Sequence, residues 1–218
     1  MADSPQEIYV DQAIQERKTL KVLANEPIES SLDSEVVEAL LESAAWAPFH
    51  RPADKTHCAS DDLNSKLPWR SYVLDASTCR TLRNSLLEEG DITKVPAMLA
   101  TASNLIQVTW LPNPKSNDSP ALYDPSLENM EHIAAASAAI QNLLIAATAR
   151  NIQTYWSSGG CLRKPKNLER LGIPIREILL GSIFLFPVVN DSCTANPGKL
   201  RDLRGEVRSW SKWVELEG

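Results

Sequence analysis

The sequence predicts an α+β fold. Residues 128–150 read as one long helix, and residues 105–111 and 178–189 read as apolar strands. Helices and strands also follow one another without the regular βαβ order of a parallel sheet. With 218 residues, 43% hydrophobic and 23% charged, the chain is expected to form a single domain with one sizeable core. Residues 1–8 are expected to be a loose tail.

Val10, Ala13, Ile14 and Arg17 have helical spacing, and the basic stretch Arg17–Lys21 stands at the helix end. Asp33 reads as the N-cap of a second helix, with Val36, Val37, Leu40, Leu41 and Ala44 on one face; Pro48 stops it. Residues 48–68 hold three prolines and no period, a long loop. A short strand over 71–74, a helix over 77–89, a short helix over 92–98 and the strand LIQVTWL follow. Residues 111–125, with four prolines, form a second long loop.

Ser126 can cap the long helix, Glu128 suits its positive end, and Arg150 suits its negative end. From Ile133 to Ala149 there are seventeen residues with no charge, Gly or Pro. That is short of the roughly 20 residues of a membrane span, so the helix reads as a core element. Its polar exceptions Ser137, Gln141 and Thr148 share a narrow face. A polar stripe on a buried helix needs partners: a subunit interface, a neighbouring loop or a ligand. Beyond it come a strand over 153–156 running into Gly159–Gly160 and a helix over 165–171 ending at Gly172. The strand over 178–189 closes near Pro187, and residues 202–216 can form a helix with Trp210, Trp213 and Val214 on one side.

The net charge of −6 leaves no domain-wide basic field for nucleic acid. The four cysteines form no CxxC pair and there are three histidines, a poor basis for a zinc site. Scattered thiols fit a reducing compartment, hence a cytoplasmic location, and no signal peptide is visible before the first apolar run. No GxGxxG, no P-loop and no serine–histidine–aspartate trio with convincing context occurs. No catalytic side chain is therefore assigned. Two basic clusters stand out: Arg17, Lys18 and Lys21, and Lys199, Arg201 and Arg204. They read either as two solvated patches or as one phosphate site drawn from both ends, with Thr19 as an orienting hydroxyl. The segment TYWSSGG lets backbone approach a ligand closely, or is a plain turn.

Taken in order, the pieces resemble the nitroreductase family of FMN-dependent oxidoreductases. They are Arg17-Lys18-Thr19 at a helix end, AAWAP, Ala47-Pro48-Phe49-His50, Pro68-Trp69, AIQN in an Ala-rich helix, TYWSSGG, LGIP, ILLGSIFL and GKLR. The resemblance covers roughly residues 10–205. It implies a mostly antiparallel sheet flanked by helices, and an intertwined homodimer with FMN at its interface. It implies Arg17, Lys18 and Thr19 at the FMN phosphate and ribityl chain, and Lys21 at the pyrimidine edge. His50 would lie against the flavin, Trp156, Ser157 and Ser158 beside its ring, and Lys199 and Arg201 on the phosphate. Residues 146–151 match a region that binds nicotinamide nucleotides in one branch. The activity implied is hydride transfer from NAD(P)H to FMN, then to a nitroaromatic, quinone-like or other small organic acceptor, by a ping-pong mechanism. A cation near N1 and O2 would favour the reduced flavin, with Lys21 first in line and Lys18 in reserve.

The chain departs from the family pattern at three places. Leu67 stands where many members have Gln before Pro-Trp, Ser157 stands at the usual Arg, and residues 51–66 look inserted. A non-catalytic flavin-binding protein on the same fold is the alternative reading. A helical dimerisation module without cofactor is a third.

Overall fold

The computed structural model describes residues 5–59, 62–116 and 120–216. Helix α1 spans Pro5–Glu16, strand β1 Leu20–Leu23 and helix α2 Ser34–Ala45. Strand β2 (Trp69–Leu74), helices α3 (Ala76–Glu88) and α4 (Val95–Leu99) and strand β3 (Asn104–Trp110) follow. Helix α5 is Leu127–Ala149, then come β4 (Gln153–Ser157), α6 (Pro165–Arg170), β5 (Ile178–Phe186) and β6 (Thr194–Pro197).

Strands β2, β3, β5 and β4 form one sheet in that order, antiparallel throughout. Every residue of β3 is buried, because helices cover both faces. Side-chain alternation along β5 shows the two layers: Ile183 and Leu185 face the core under α2 and α5, while Phe184 and Phe186 face the core under α3 and α4. The first core holds Leu40, Ile106, Ile140 and Leu143; the second holds Leu82, Leu86, Leu99 and Leu105.

Helix α5 is long and apolar enough to cross a membrane by length and composition, and in the fold it packs against α1, α2 and the sheet. Ser126 accepts from the Asn129 amide at 3.2 Å, and Arg150 donates to the Ala146 carbonyl at 3.0 Å, so both ends are closed. Asp75 caps α3, accepting from the Thr78 amide at 2.7 Å, which holds its carboxyl below the usual range. Asp33 stands at the expected cap of α2, but its side chain makes no capping bond.

Several expectations are corrected. Helix α1 begins at Pro5, so only residues 1–4 of the expected tail lie outside the described residues. Residues 60–61 and 117–119 of the two expected loops also lie outside them. The basic stretch is not all helix end: α1 stops at Glu16, and Leu20–Leu23 pairs antiparallel with Thr194–Pro197. The last long strand ends at Phe186, before Pro187. The expected helix over 202–216 is absent; only short turns at Arg201–Leu203 and Val207–Ser209 form. The Ser209 hydroxyl donates to the Glu206 carbonyl at 2.6 Å and the Ser211 hydroxyl to the Val207 carbonyl at 2.7 Å, competing with helical bonds. No face of this segment is buried in the chain, and a short unpacked helix is marginal in water.

The 51–66 segment is organised by a buried cation. Arg70 donates to the carbonyls of Leu67 (2.8 Å), Trp69 (2.9 Å), Ser65 (2.8 Å) and His57 (3.3 Å). His57 bonds the Pro112 carbonyl through Nε2 at 2.8 Å, and His132 is buried with Nδ1 2.8 Å from the Leu111 carbonyl.

Candidate functional site

The two ends of the chain meet beside β4. Arg17 closes the last turn of α1, its amide donating to the Ala13 carbonyl at 3.0 Å. Thr19 then bridges to Thr154 of β4 in parallel sense, and β1 runs on to pair with β6. At the far end of β6 the Gly198 amide donates to the Thr19 carbonyl at 2.8 Å. A Cβ at Gly198 would stand 3.1 Å from the Thr19 Cβ, so this approach suits glycine. From there the chain returns over the end of α1. Arg201 donates to the carbonyls of Arg17 (2.8 Å) and Gln15, which α1 itself leaves unpaired. Arg204 donates to the Arg201 carbonyl at 2.9 Å.

This convergence has an electrostatic cost. Burial, then Arg204 and Arg201, lower the Arg17 pKa below that of a free guanidinium. Among the described residues, no ion pair joins Arg17, Lys18, Arg201 or Arg204 to a carboxylate, and the Arg17 guanidinium has no hydrogen-bond partner. Asp202 lines the same cavity and Glu16 the one beside it, yet neither pairs with these cations, which outnumber them, and such an excess of positive charge makes a site that an anion stabilises.

Three cavities open around these residues. One of about 450 Å³ holds Arg17, Lys18, Thr19, Arg201 and Arg204. One of about 270 Å³ continues from Arg17 and Thr19 to Gln141, Leu144, Thr154 and Trp156. A third, of about 330 Å³, lies on the Lys18 and Arg201 side, with Thr148, Asn151 and Gln153. A larger cavity, about 510 Å³, is elsewhere: an apolar groove of Leu122, Leu168, Ile173 and Leu179 that lacks the cation cluster. Chemistry rather than size marks the site.

Trp156 is placed by its opposite strand. Across β4 and β5 it pairs with Ile183, and its indole lies over Gly181, where a Cβ would be 2.1 Å from Nε1. Behind it, Ser157 is buried and its hydroxyl accepts from the Gly159 amide at 3.1 Å. Gly159 has φ +104°, a conformation that side chains rarely adopt. Ser158 is exposed, and Arg163 donates to its carbonyl.

Of the residues singled out in the sequence, the fold thus brings Arg17, Lys18, Thr19 and Arg201 together, with Trp156 in the adjoining cavity. Ser157 and Ser158 form the turn after it. Lys21 goes elsewhere: its Nζ sits 4.7 Å from the Tyr155 ring centroid, and Tyr155 packs on the Phe184 side of the sheet, opposite Trp156. Lys199 is exposed on the turn after β6, and His50 is exposed beyond α2, where Phe49 meets Trp69 edge-on at 6.1 Å. Neither lines the Arg17 cavities. Gln141, Thr154 and Arg204 do, and were not singled out as site residues. The signals were present: Gln141 in the polar stripe of α5, Thr154 two residues from Trp156 and so on its side of the strand, and Arg204 in the second basic cluster.

No curated protein matches the chain. Solved structures do. The nitroreductase-like family protein from Bacillus cereus is 19% identical, with 94% of this chain and 96% of that one covered at a TM-score of 0.63. A protein of Desulfovibrio desulfuricans in complex with FMN is 22% identical over 94% and 98% of the two chains, with a TM-score of 0.57. A Desulfitobacterium hafniense nitroreductase with bound FMN is 16% identical over 95% and 98%, with a TM-score of 0.55. These likenesses concern the fold. Sequence adds the family: the model of the Nitroreductase family matches residues 14–185, from the end of α1 to the close of β5. With most of its length so matched, the chain belongs to the nitroreductase family.

Proposed function

We propose that this chain, as a single domain, is an FMN-dependent oxidoreductase that uses NAD(P)H. The observation that carries the reading is the set of unpaired cations, Arg17, Lys18, Arg201 and Arg204, gathered beside a cavity that ends at Trp156. The residues fit the group. A phosphate answers the excess of positive charge that Asp202 alone leaves in this cavity, and Arg is suited to holding it. Small-molecule sites span roughly 300–1,000 Å³, and the two joined cavities, about 450 and 270 Å³, are of that order.

FMN supplies the redox chemistry when bound, taking hydride from NAD(P)H and passing it to a nitroaromatic, quinone-like or other small organic acceptor in ping-pong order. The chain binds and orients. Lys199, set at the phosphate by the family resemblance, is exposed on the turn after β6 and does not line the cavity; Arg17 and Arg201 would hold the phosphate. Thr19 orients the chain next to it. Trp156 walls the ring, and the Ser157–Ser158 turn fixes its edge. For the cation that favours the reduced flavin, the position of Lys18 beside Arg201 speaks for Lys18; Lys21 is engaged with Tyr155. His50 serves the site of a second copy.

A homodimer is part of the proposal. Trp213 is 97% exposed, and Trp210 and Leu216 are also exposed, an apolar segment that its own chain leaves uncovered. The four cysteines are free, which suits the reducing cytoplasm.

The purified protein is expected to be yellow, with a flavin spectrum bleached by NADH or NADPH. Replacing Arg17 and Arg201 by alanine is expected to release FMN, each step costing about tenfold or more in affinity. Full FMN occupancy in the double variant would overturn the phosphate assignment. Stable occupancy without bleaching by either nicotinamide would leave a flavin-binding protein without turnover.

A further inference from the structure

One acid lines the apolar groove of Leu122, Leu168, Ile173 and Leu179 from inside the fold. After α6 the chain turns over residues 174–177, where the Glu177 amide donates to the Pro174 carbonyl at 2.9 Å, and enters β5. Ile175 and Arg176 are left exposed at the turn, whereas Glu177 is 7% exposed. Hydroxyls from the sheet face it. Thr109 of β3 donates to Oε2 at 2.5 Å. The Tyr72 hydroxyl of β2 is buried nearby without a hydrogen-bond partner among the described residues, and burial, then the Glu177 charge, raise its pKa above that of a free phenol.

Hydroxyls solvate a carboxylate but do not neutralise it. Among the described residues, Glu177 has no ion pair, and its second oxygen has no hydrogen bond. Arg163 lines the same groove, but it donates to the carbonyls of Ser158 and Leu180. Arg176 lines the cavity next to it and makes no ion pair among the described residues. Glu169, exposed on α6, adds a second negative charge to the groove. A buried carboxylate in apolar surroundings is costly without a counter-charge. A glutamine would accept from Thr109 equally well, so the fold itself does not call for the charge. The groove is also remote from the Arg17 cavities. Strand register puts Tyr72 and Thr109 on the Phe184 side of the sheet, and Trp156 on the α5 side.

We propose that this groove is a second ligand site, which takes a small hydrophobic amine in its protonated form. The apolar body lies against Leu168, Ile173 and Leu179, and the ammonium donates to Glu177. An ammonium has three donors and no acceptor, which suits a carboxylate that receives one hydroxyl bond and lacks a cation. A neutral guest would leave the charge uncompensated, and an anion would meet Glu177 and Glu169 together. The volume, about 510 Å³, lies within the range of roughly 300–1,000 Å³ for small-molecule sites. This site does not depend on the FMN reading above.

Phenylbutylamine, phenylbutanol and phenylbutyrate share one apolar body and differ in charge. Their affinities would be measured near neutral pH by calorimetric titration of the purified full chain, with and without added FMN. The amine is expected to bind about tenfold or more tightly than the alcohol, with the carboxylate weakest, and FMN is expected to change none of the three. Glu177→Gln keeps an acceptor for Thr109 and should bring amine and alcohol to within about twofold of each other. Leu168→Trp, which fills the groove from α6, should weaken both alike. The comparison of the three probes on the wild type stands whether or not the variants fold. An amine that binds no better than the alcohol would overturn the proposal, as would a preference that survives Glu177→Gln, or competition with FMN. A chain that sediments as a dimer and binds none of the probes would overturn it too, and would mean that a second copy closes the groove.

Discussion

Along Gln153–Ser157, Tyr155 turns toward Phe184 and α3, whereas Thr154 and Trp156 turn toward α5 and the Arg17 cavity. One backbone thus borders two environments. On the Tyr155 side the ring lies 6.3 Å from Phe184, which stacks at 6.2 Å on Phe186, and Lys21 covers the outer edge through its ammonium. That side is closed and apolar. On the Trp156 side the layer under α5 is equally apolar at Ile106, Ile140 and Ile183, but it ends in a polar opening among Gln141, Thr154 and Arg17. The difference teaches that parity along a strand assigns a residue to core or to site. Tyr155 and Trp156 are adjacent and alike in chemistry, and a register slip of one residue would exchange them.

The largest expected effect tests the closed side. Phe184→Ala is expected to cost about 3–5 kcal/mol, read as a fall in chemical-denaturation midpoint, while the protein that remains folded keeps its FMN affinity. Lost affinity in the folded fraction would show that the two sides are not separate. The thiols probe the same side. Burial pushes Cys79 up to about 12 and Cys161 up to about 11, both in the core under α3 and α4. Neither should react with a thiol reagent at pH 8 in the native state, and both should react once unfolded. Raising the pH toward those values should expose them, since the thiolate forms only as pH approaches the raised pKa.

On the open side, Gly181→Ala sets a methyl against the Trp156 indole, which a Cβ would approach to 2.1 Å. A cost of about 1–3 kcal/mol is expected together with weakened flavin binding, because the indole must leave its slot. An alanine variant with unaltered flavin affinity would detach Trp156 from the ligand. The smallest effect is at Lys21. Lys21→Met should lose about 0.5–1 kcal/mol of cation–π contact and leave the flavin potential where it was, whereas Lys18→Met should lower the potential. A lowered potential in the Lys21 variant would return the polar-edge role to Lys21.

Much of this was legible in residues. The α5 helix, β3 and β5 announce themselves by composition, since the sheet centre is buried on both faces and is rich in Val, Ile, Leu and Phe, with Gln107, Thr109 and Ser182 as buried polar exceptions. The convergence of Arg17 with Arg201 was an expectation from order along the chain, and the pairing of β1 with β6 is what accomplishes it. Those two strands were not foreseen: LKVL is too short to show alternation above its charged neighbours, and TANP has the composition of a turn. They are strands only because each supplies the other's hydrogen bonds. The 202–216 segment misled in the opposite way. Its apolar residues have helical spacing, but periodicity predicts a helix only where something is present to bury the face. Lys21 stands apart from Arg17 and Lys18 for a local reason: Arg17 to Lys21 reads as one basic patch, and the entry into β1 turns Lys21 onto Tyr155.

Arg201 spends two of its guanidinium nitrogens on carbonyls at the end of α1, while the Arg17 guanidinium spends none among the described residues. If the proposed phosphate site holds, the same Arg201 would be both a strut of the fold and a contact for the ligand. A thermal scan of Arg201→Ala should register two losses at once, helix anchoring and ligand protection, whereas Arg17→Ala should register only the second and even relieve some repulsion without ligand. On the proposed function, rigidity and recognition would thus be coupled at one carboxy-terminal arginine and uncoupled at its amino-terminal neighbour.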